Sequence, residues 1–260
     1  MRWFGWLGIG FGIAVIVALV SISPTNQTAG PSDSGELKAA IIDQLYRLQP
    51  NEAFIQQTTQ ELEDCGFEVD LYQGDEVTVN LYRELTGHGY KLIIFRAHSG
   101  LLGSEEEIIK RTCLFTNEHY SQNKHVTEQL SDQLAMARID QNHPWVFGIG
   151  DEFVTRSMEG RFLNTVIIMM GCATLYLDDL AQAFIQKGAS TYLGWDATVG
   201  LDYMDEATPI LVTNLYSKGM MIKGAVDKTM AEVGPDPDYH AYLKYYPSES
   251  GSKTIDELIR

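Results

Sequence analysis

His98 and Cys172 are the two side chains best placed by sequence to do chemistry, because each follows directly on a strongly apolar run. KLIIFRA precedes His98 and TVIIMMG precedes Cys172. A thiol beside an imidazole can give up its proton and become a nucleophile. Gly100 allows close backbone approach next to the histidine, and its N–H together with that of Cys172 is a candidate oxyanion hole. Gly171 leaves room beside the thiol for a substrate backbone. Each residue alone has a plainer reading: a histidine at a strand end often caps, and a cysteine after an apolar strand often packs. The pairing of the two at like positions is what points to catalysis. His88, His119, His125, His143 and His240 follow no apolar strand, and no G-x-S-x-G is present to support a serine triad.

The elements needed to hold such a pair are legible as strands alternating with helices. Lys38–Leu45, Phe67–Tyr72, Tyr90–Arg96, Thr165–Met170 and Ser190–Trp195 are short apolar or alternating runs bounded by turn residues, as strands are. Pro50-Asn51 opens an amphipathic helix to about Asp64, and Val79–Leu85, Leu177–Lys187, Tyr203–Ser217 and Met221–Val233 are further helices. Cys113–Thr116, Met136–Ile139 and Trp145–Ile149 are expected as strands of an insertion within Leu101–Asn164. After the Pro-Asp-Pro-Asp turn at 235–238, no regular element is expected. The fold class is therefore α/β, a mainly parallel sheet with helices on both faces. Ligands in such sheets bind outside the carboxyl ends of the strands, which is where His98 and Cys172 fall.

Strand–His-Ser-Gly, strand–Gly-Cys, helix, then Gly-Ala and a strand ending in Trp-Asp resembles the caspase-like cysteine peptidases. The segments that carry the likeness are IIFRAHSG (93–100), VIIMMGCATLY (166–176), AFIQKGASTYLGWDATV (183–199) and the helical region Asp202–Ala225. The last two are most similar to the separase and CHAT-type branch. The resemblance covers Lys38 to Val233 and implies a three-layer caspase-like sandwich with a His98–Cys172 dyad, cleaving peptide bonds without a cofactor. The caspase signature Gln-Ala-Cys-x-Gly is absent, since Cys172 sits in MMGCATLY, and this speaks against caspase-type preference for Asp. In the clostripain, gingipain and separase branches an acidic pocket takes Arg or Lys. The counterparts here are Asp196, Asp202 and Asp205, with Asp196 favoured by position. Their plainer reading is surface charge or helix capping. Glu105–Glu107 and Asp178-Asp179 read as solvated charges at helix starts, and no EF-hand-like loop is present.

A net charge of −16, with no cluster of Lys and Arg, argues against nucleic acid as a partner. Cys65, Cys113 and Cys172 are too few for a disulfide framework or zinc site. A Cys65–Cys113 bridge is an alternative to two ordinary buried thiols. Trp3–Ile22 carries no charge and matches the roughly 30 Å of a bilayer core. Arg2 lies before it and no Lys or Arg follows until Lys38, which places the domain on the extracytoplasmic side. A cleaved signal peptide is the competing reading, disfavoured by the length of the run and by Pro24. The expected organisation is an anchor at 1–23, a Pro/Gly/Ser-rich linker at 24–36 bearing an Asn26-Gln27-Thr28 sequon, and one domain at 37–260. An endopeptidase is the leading function. A catalytically silent peptide-binding or sensing module and a different thiol hydrolase or acyltransferase are the alternatives.

Overall fold

The computed structural model describes residues 37–102 and 111–260. The anchor at 1–23, the linker at 24–36 and the Glu105–Glu107 cluster lie outside them. No helix among the described residues is long and apolar enough to cross a membrane.

The chain opens with β1 (Leu37–Asp43), then α1 (Glu52–Asp64), whose N-cap Asn51 accepts a hydrogen bond from the Phe54 N–H. β2 (Phe67–Gln73), α2 (Val79–Glu84, capped by Thr78) and β3 (Leu92–Arg96) follow. β4 (Ser99–Leu102), β5 (Arg111–His119), the short α3 (Val126–Leu130), β6 (Leu134–Ala137) and β7 (Val146–Ile149) form the insertion. α4 (Asp151–Arg156) leads to β8 (Thr165–Met170), α5 (Asp179–Gln186) and β9 (Ala189–Trp195). α6 (Leu201–Val212) runs on into a π-turn at Thr213–Ser217, and α7 (Ile222–Val233) follows. The tail adds β10 (Leu243–Tyr246) and α8 (Ile255–Ile259). This corrects the expectation of an irregular tail. LKYY is too short to show a period, and it becomes a strand through its antiparallel pairing with β9.

The main sheet has the order β10-β9-β8-β3-β1-β2, parallel throughout except for β10. Its central strands are buried on both sides, so alternate residues feed two cores. Ala39, Ile41, Leu92, Ile94, Val166 and Ile168 face the α1, α6 and α7 side. Ala40, Ile42, Ile93, Phe95, Ile167 and Met169 face the α2, α4 and α5 side. This two-sided burial is why the strands read as continuous apolar runs. The insertion makes a second, antiparallel sheet of order β4-β5-β7-β6, with Leu114, Leu134, Phe147 and Ile149 packed into the second core.

A set of charged groups lies inside this apolar frame. Arg96, the last residue of β3, is fully buried with Asp43, the last residue of β1. Its guanidinium grips Asp205 bidentately at 2.7 and 2.7 Å, and donates to Asp43 at 2.8 Å and to the Gln49 carbonyl at 2.9 Å. Burial works against its charge, but the Asp205 hydrogen bonds and Asp43 outweigh it and hold the guanidinium protonated. Asp205 also accepts from the Asn51 side chain at 2.9 Å. One cation thus joins two strands, the α1 cap and α6. Removing one partner of a buried ion set strands the others in low dielectric. Arg96→Met is expected to lose about 3–5 kcal/mol in urea unfolding, and Arg96→Lys to recover little of it because an ammonium lacks the two-pronged fork.

Candidate active site

β3 and β8 are hydrogen-bonded parallel neighbours, with Arg96 opposite Met170. His98 and Cys172 each stand two residues beyond that matched pair, at the carboxyl edge of the sheet. The ladder continues through the Ala97 N–H to the Met170 carbonyl at 3.2 Å. The Ser99 hydroxyl then donates to the Cys172 carbonyl at 2.7 Å. Gly171 is dictated by this close approach: a Cβ there would lie 2.5 Å from Ser99 Oγ and 2.7 Å from the Ala97 carbonyl oxygen.

Each side of the pair has its own support. The His98 N–H donates to Gln44 Oε1 at 2.9 Å, and Gln44 is fixed in turn by Asn117 at 2.7 Å. Past Cys172 the chain reverses through Ala173, which adopts the left-handed φ of 56°. That conformation costs a residue with a Cβ about 1–2 kcal/mol. It is held by the Ala173 N–H on the Ala197 carbonyl and the Leu175 N–H on the Trp195 carbonyl, both at 2.8 Å. Asp236, fully buried, accepts from the Gly200 N–H at 2.8 Å and the Tyr239 N–H at 2.6 Å, and so secures the loop after β9 against Cys172. Gln44, Ser99 and Asp236 carry no sequence signal of these roles, since each reads as an ordinary polar residue at a strand end or turn.

In this state the thiol and imidazole are both neutral and not joined. Cys172 Sγ donates to the Val199 carbonyl at 3.7 Å. Burial raises its pKa, and Asp236 adds to the rise while the Val199 contact opposes it. The His98 pKa is pushed down to about 4, by burial first and then by His143 and Arg96. The ring lies 6.1 Å from that of Phe115, and His98 lines a cleft of about 520 Å³ whose other lining residues belong to the insertion.

The other sequence candidates are placed as follows. Phe115 N–H bonds the His98 carbonyl at 3.0 Å, and Ser99 pairs with Leu114 in the β4–β5 ladder. Gly100 stands opposite Cys113 in the same ladder. No backbone carbonyl among the described residues accepts from the Cys172 N–H. Asp205 is taken by Arg96, and Asp202, exposed in the first turn of α6, accepts from the Gln49 side chain at 2.6 Å. Asp196 stands directly after β9 at the same edge as Cys172, accepting from the Tyr242 N–H at 2.7 Å with Lys244 at 3.5 Å. Asp179 is not a merely solvated helix-start charge. It accepts from both the N–H and the hydroxyl of Thr112 at 2.6 Å and pins α5 to β5. Cys65 and Cys113 are free thiols rather than a bridge.

No family model and no curated protein matches the chain.

These electrostatics set two pH responses. Cys172 is expected to react with iodoacetamide only as pH rises beyond the usual thiol value of about 8.5, followed by mass spectrometry. Cys113, buried and pushed up to about 12, is expected to stay unlabelled while the fold is intact. Because the folded His98 titrates at about 4 rather than the ordinary 6.5, the unfolded chain takes up the proton first as pH falls. Stability from this group is therefore lost between pH 6.5 and 4, and the urea midpoint of His98→Gln is expected to fall less across that window.

Proposed function

We propose that this chain is a cysteine endopeptidase with a three-layer caspase-like fold, using Cys172 as nucleophile and His98 as general base. The observation that carries this reading is the matched register: both groups stand two residues past the hydrogen-bonded pair Arg96–Met170 on adjacent parallel strands. The resemblance of 93–100 and 166–176 to the caspase-like peptidases supports the same roles.

The chemistry follows from the resting geometry. Rotation about the Cys172 Cα–Cβ bond releases Sγ from the Val199 carbonyl and turns it toward the imidazole. Neutral His98 takes the thiol proton as sulfur attacks the carbonyl carbon of the scissile bond. The Cys172 N–H stabilises the oxyanion. The imidazolium then returns its proton to the leaving amine, and a water activated by the same ring hydrolyses the thioester. With a base neutral above a pH of about 4, the acid limb of kcat/KM falls well below the ordinary histidine range.

Asp196 is the carboxylate we assign to recognition of an Arg or Lys on the acyl side of the scissile bond. It is partly exposed at the edge beside Cys172, whereas Asp205 is buried against Arg96. The run Trp3–Ile22 tethers the domain to a membrane on its extracytoplasmic side. A silent peptide-binding module is the second reading. It draws on Cys172 Sγ donating to the Val199 carbonyl rather than to the His98 ring.

Cys172→Ala and His98→Ala are each expected to abolish cleavage of Arg- and Lys-containing peptides, a loss of at least about 10³-fold, with the circular dichroism spectrum unchanged. Asp196→Asn is expected to lose about tenfold or more on those peptides and little on others. Cleavage that survives Cys172→Ala sinks the enzyme assignment. A folded parent that cleaves nothing but binds peptides leaves the silent module.

A further inference from the structure

The cleft beside His98 is lined by that ring and by the insertion, while Cys172 is not part of its wall. In acyl transfer the histidine must reach the leaving amine to give it a proton. A cavity on the histidine side of the pair is therefore where the departing half of a substrate lies, and the β9 side, with Asp196, receives the acyl half.

The make-up of this cleft is distinctive. Phe115, Ile139 and Trp145 line it, the last two keeping 40 and 40% of their surface exposed, so its lining offers large apolar groups beside His98. The small residues Gly100, Ala137 and Cys113 also line it. Among the described residues no carboxylate lines it, although the chain carries a net charge of −16. Its one charged side chain is Arg138, stacked 4.3 Å over the Trp145 ring and paired with no carboxylate among the described residues. His143 lies close enough to bear electrostatically on His98 from the same side. An apolar hollow with a cation at its rim suits an apolar group followed by an anion.

We infer that this cleft is the subsite for the leaving half of a peptide substrate, taking a large apolar residue immediately after the scissile bond and an acidic residue next to it, the latter read by Arg138. The inference rests on the peptidase reading for its catalytic consequence, but the cleft makes its own binding claim.

The experiment incubates the full chain with a mixed peptide library and sequences the new N-termini by mass spectrometry. Phe, Leu, Met or Trp is expected at the first position after the cut and Glu or Asp at the second. Arg138→Glu is expected to lose about tenfold in kcat/KM on Phe-Glu peptides and to favour Phe-Lys peptides instead. Trp145→Ala is expected to raise KM for the apolar residue with kcat little changed. A flat profile at both positions, or an unchanged second position in Arg138→Glu, overturns the subsite. If nothing in the library is cut, the peptidase reading fails and binding decides. Peptides beginning Phe-Glu are titrated into Cys172→Ala, following Trp fluorescence with Trp145→Phe as control. Saturable binding weakened by Arg138→Glu sustains the cleft, and no binding overturns it.

Discussion

The buried guanidinium of Arg96 is the constraint on which the site depends. An ion with no exposed surface is costly to leave unsatisfied, because the low dielectric that strengthens each of its hydrogen bonds also penalises any that is missing. Its partners come from four places: the end of β1, the turn at Gln49, the Asn51 cap through Asp205, and α6. Satisfying it therefore fixes where β3 ends relative to everything packed around it. His98 begins two residues later. Asp43 keeps one carboxylate oxygen without a hydrogen-bond partner among the described residues, so the set is held by geometry rather than by complete pairing. Such an ion set contributes positional definition more than net stability, since a well-packed apolar replacement of the whole set would cost little.

Beyond Arg96 the two sheets part company, and the site occupies the seam. β8 continues into Gly171 and Cys172, while β3 gives way to β4, which joins the insertion through β5. The Ser99 hydroxyl on the Cys172 carbonyl is the stitch across the divergence, and Gly171 is the residue small enough to permit it. A thiol at such a seam is shielded from water, and that shielding, with Asp236 nearby, favours its neutral form over the opposing contact with the Val199 carbonyl. The same shielding keeps the imidazole neutral. On the proposed mechanism, a neutral base and a neutral thiol transfer the proton in concert with attack, rather than resting as a thiolate–imidazolium pair. A thiol shielded and neutral in this way is slow to alkylate or oxidise.

The sheet was legible in the sequence because its strands are buried on both faces and so appear as uninterrupted apolar runs. Helices were legible where a cap and a periodic face coincide, as at Asn51 and α1. The tail was not, since β10 owes its conformation to β9 rather than to its own four residues. His98 and Cys172 could be found because strand ends in a parallel sheet share one edge, a rule that converts position in sequence into position in space. Gln44, Ser99 and Asp236 act through hydrogen bonds to backbone atoms distant in sequence, and no local pattern encodes such a partner. Asp205 shows the limit from the other side. Its type and spacing suit a substrate pocket, yet one buried arginine is enough to claim both its oxygens.

The division of the seam into two halves follows from topology alone. Cys172 leans toward β9 and the loop after it, through Val199, Ala197 and Asp236, whereas His98 leans toward the insertion, through Phe115 and the cleft. In the peptidase we propose, a bond broken between them has one product on each side, and the selectivity of each side follows from the elements there. The main sheet carries Asp196 at its edge, and the described residues of the insertion supply an apolar wall with one cation, Arg138. Selectivity on the acyl side is thus tied to elements that also hold the core, and is costly to alter. Selectivity on the leaving side rests on exposed residues of an added sheet, where Met136, Arg138, Ile139 and Trp145 can change without disturbing the ion set beneath His98. The physical consequence is that the leaving side is the freer of the two to be tuned.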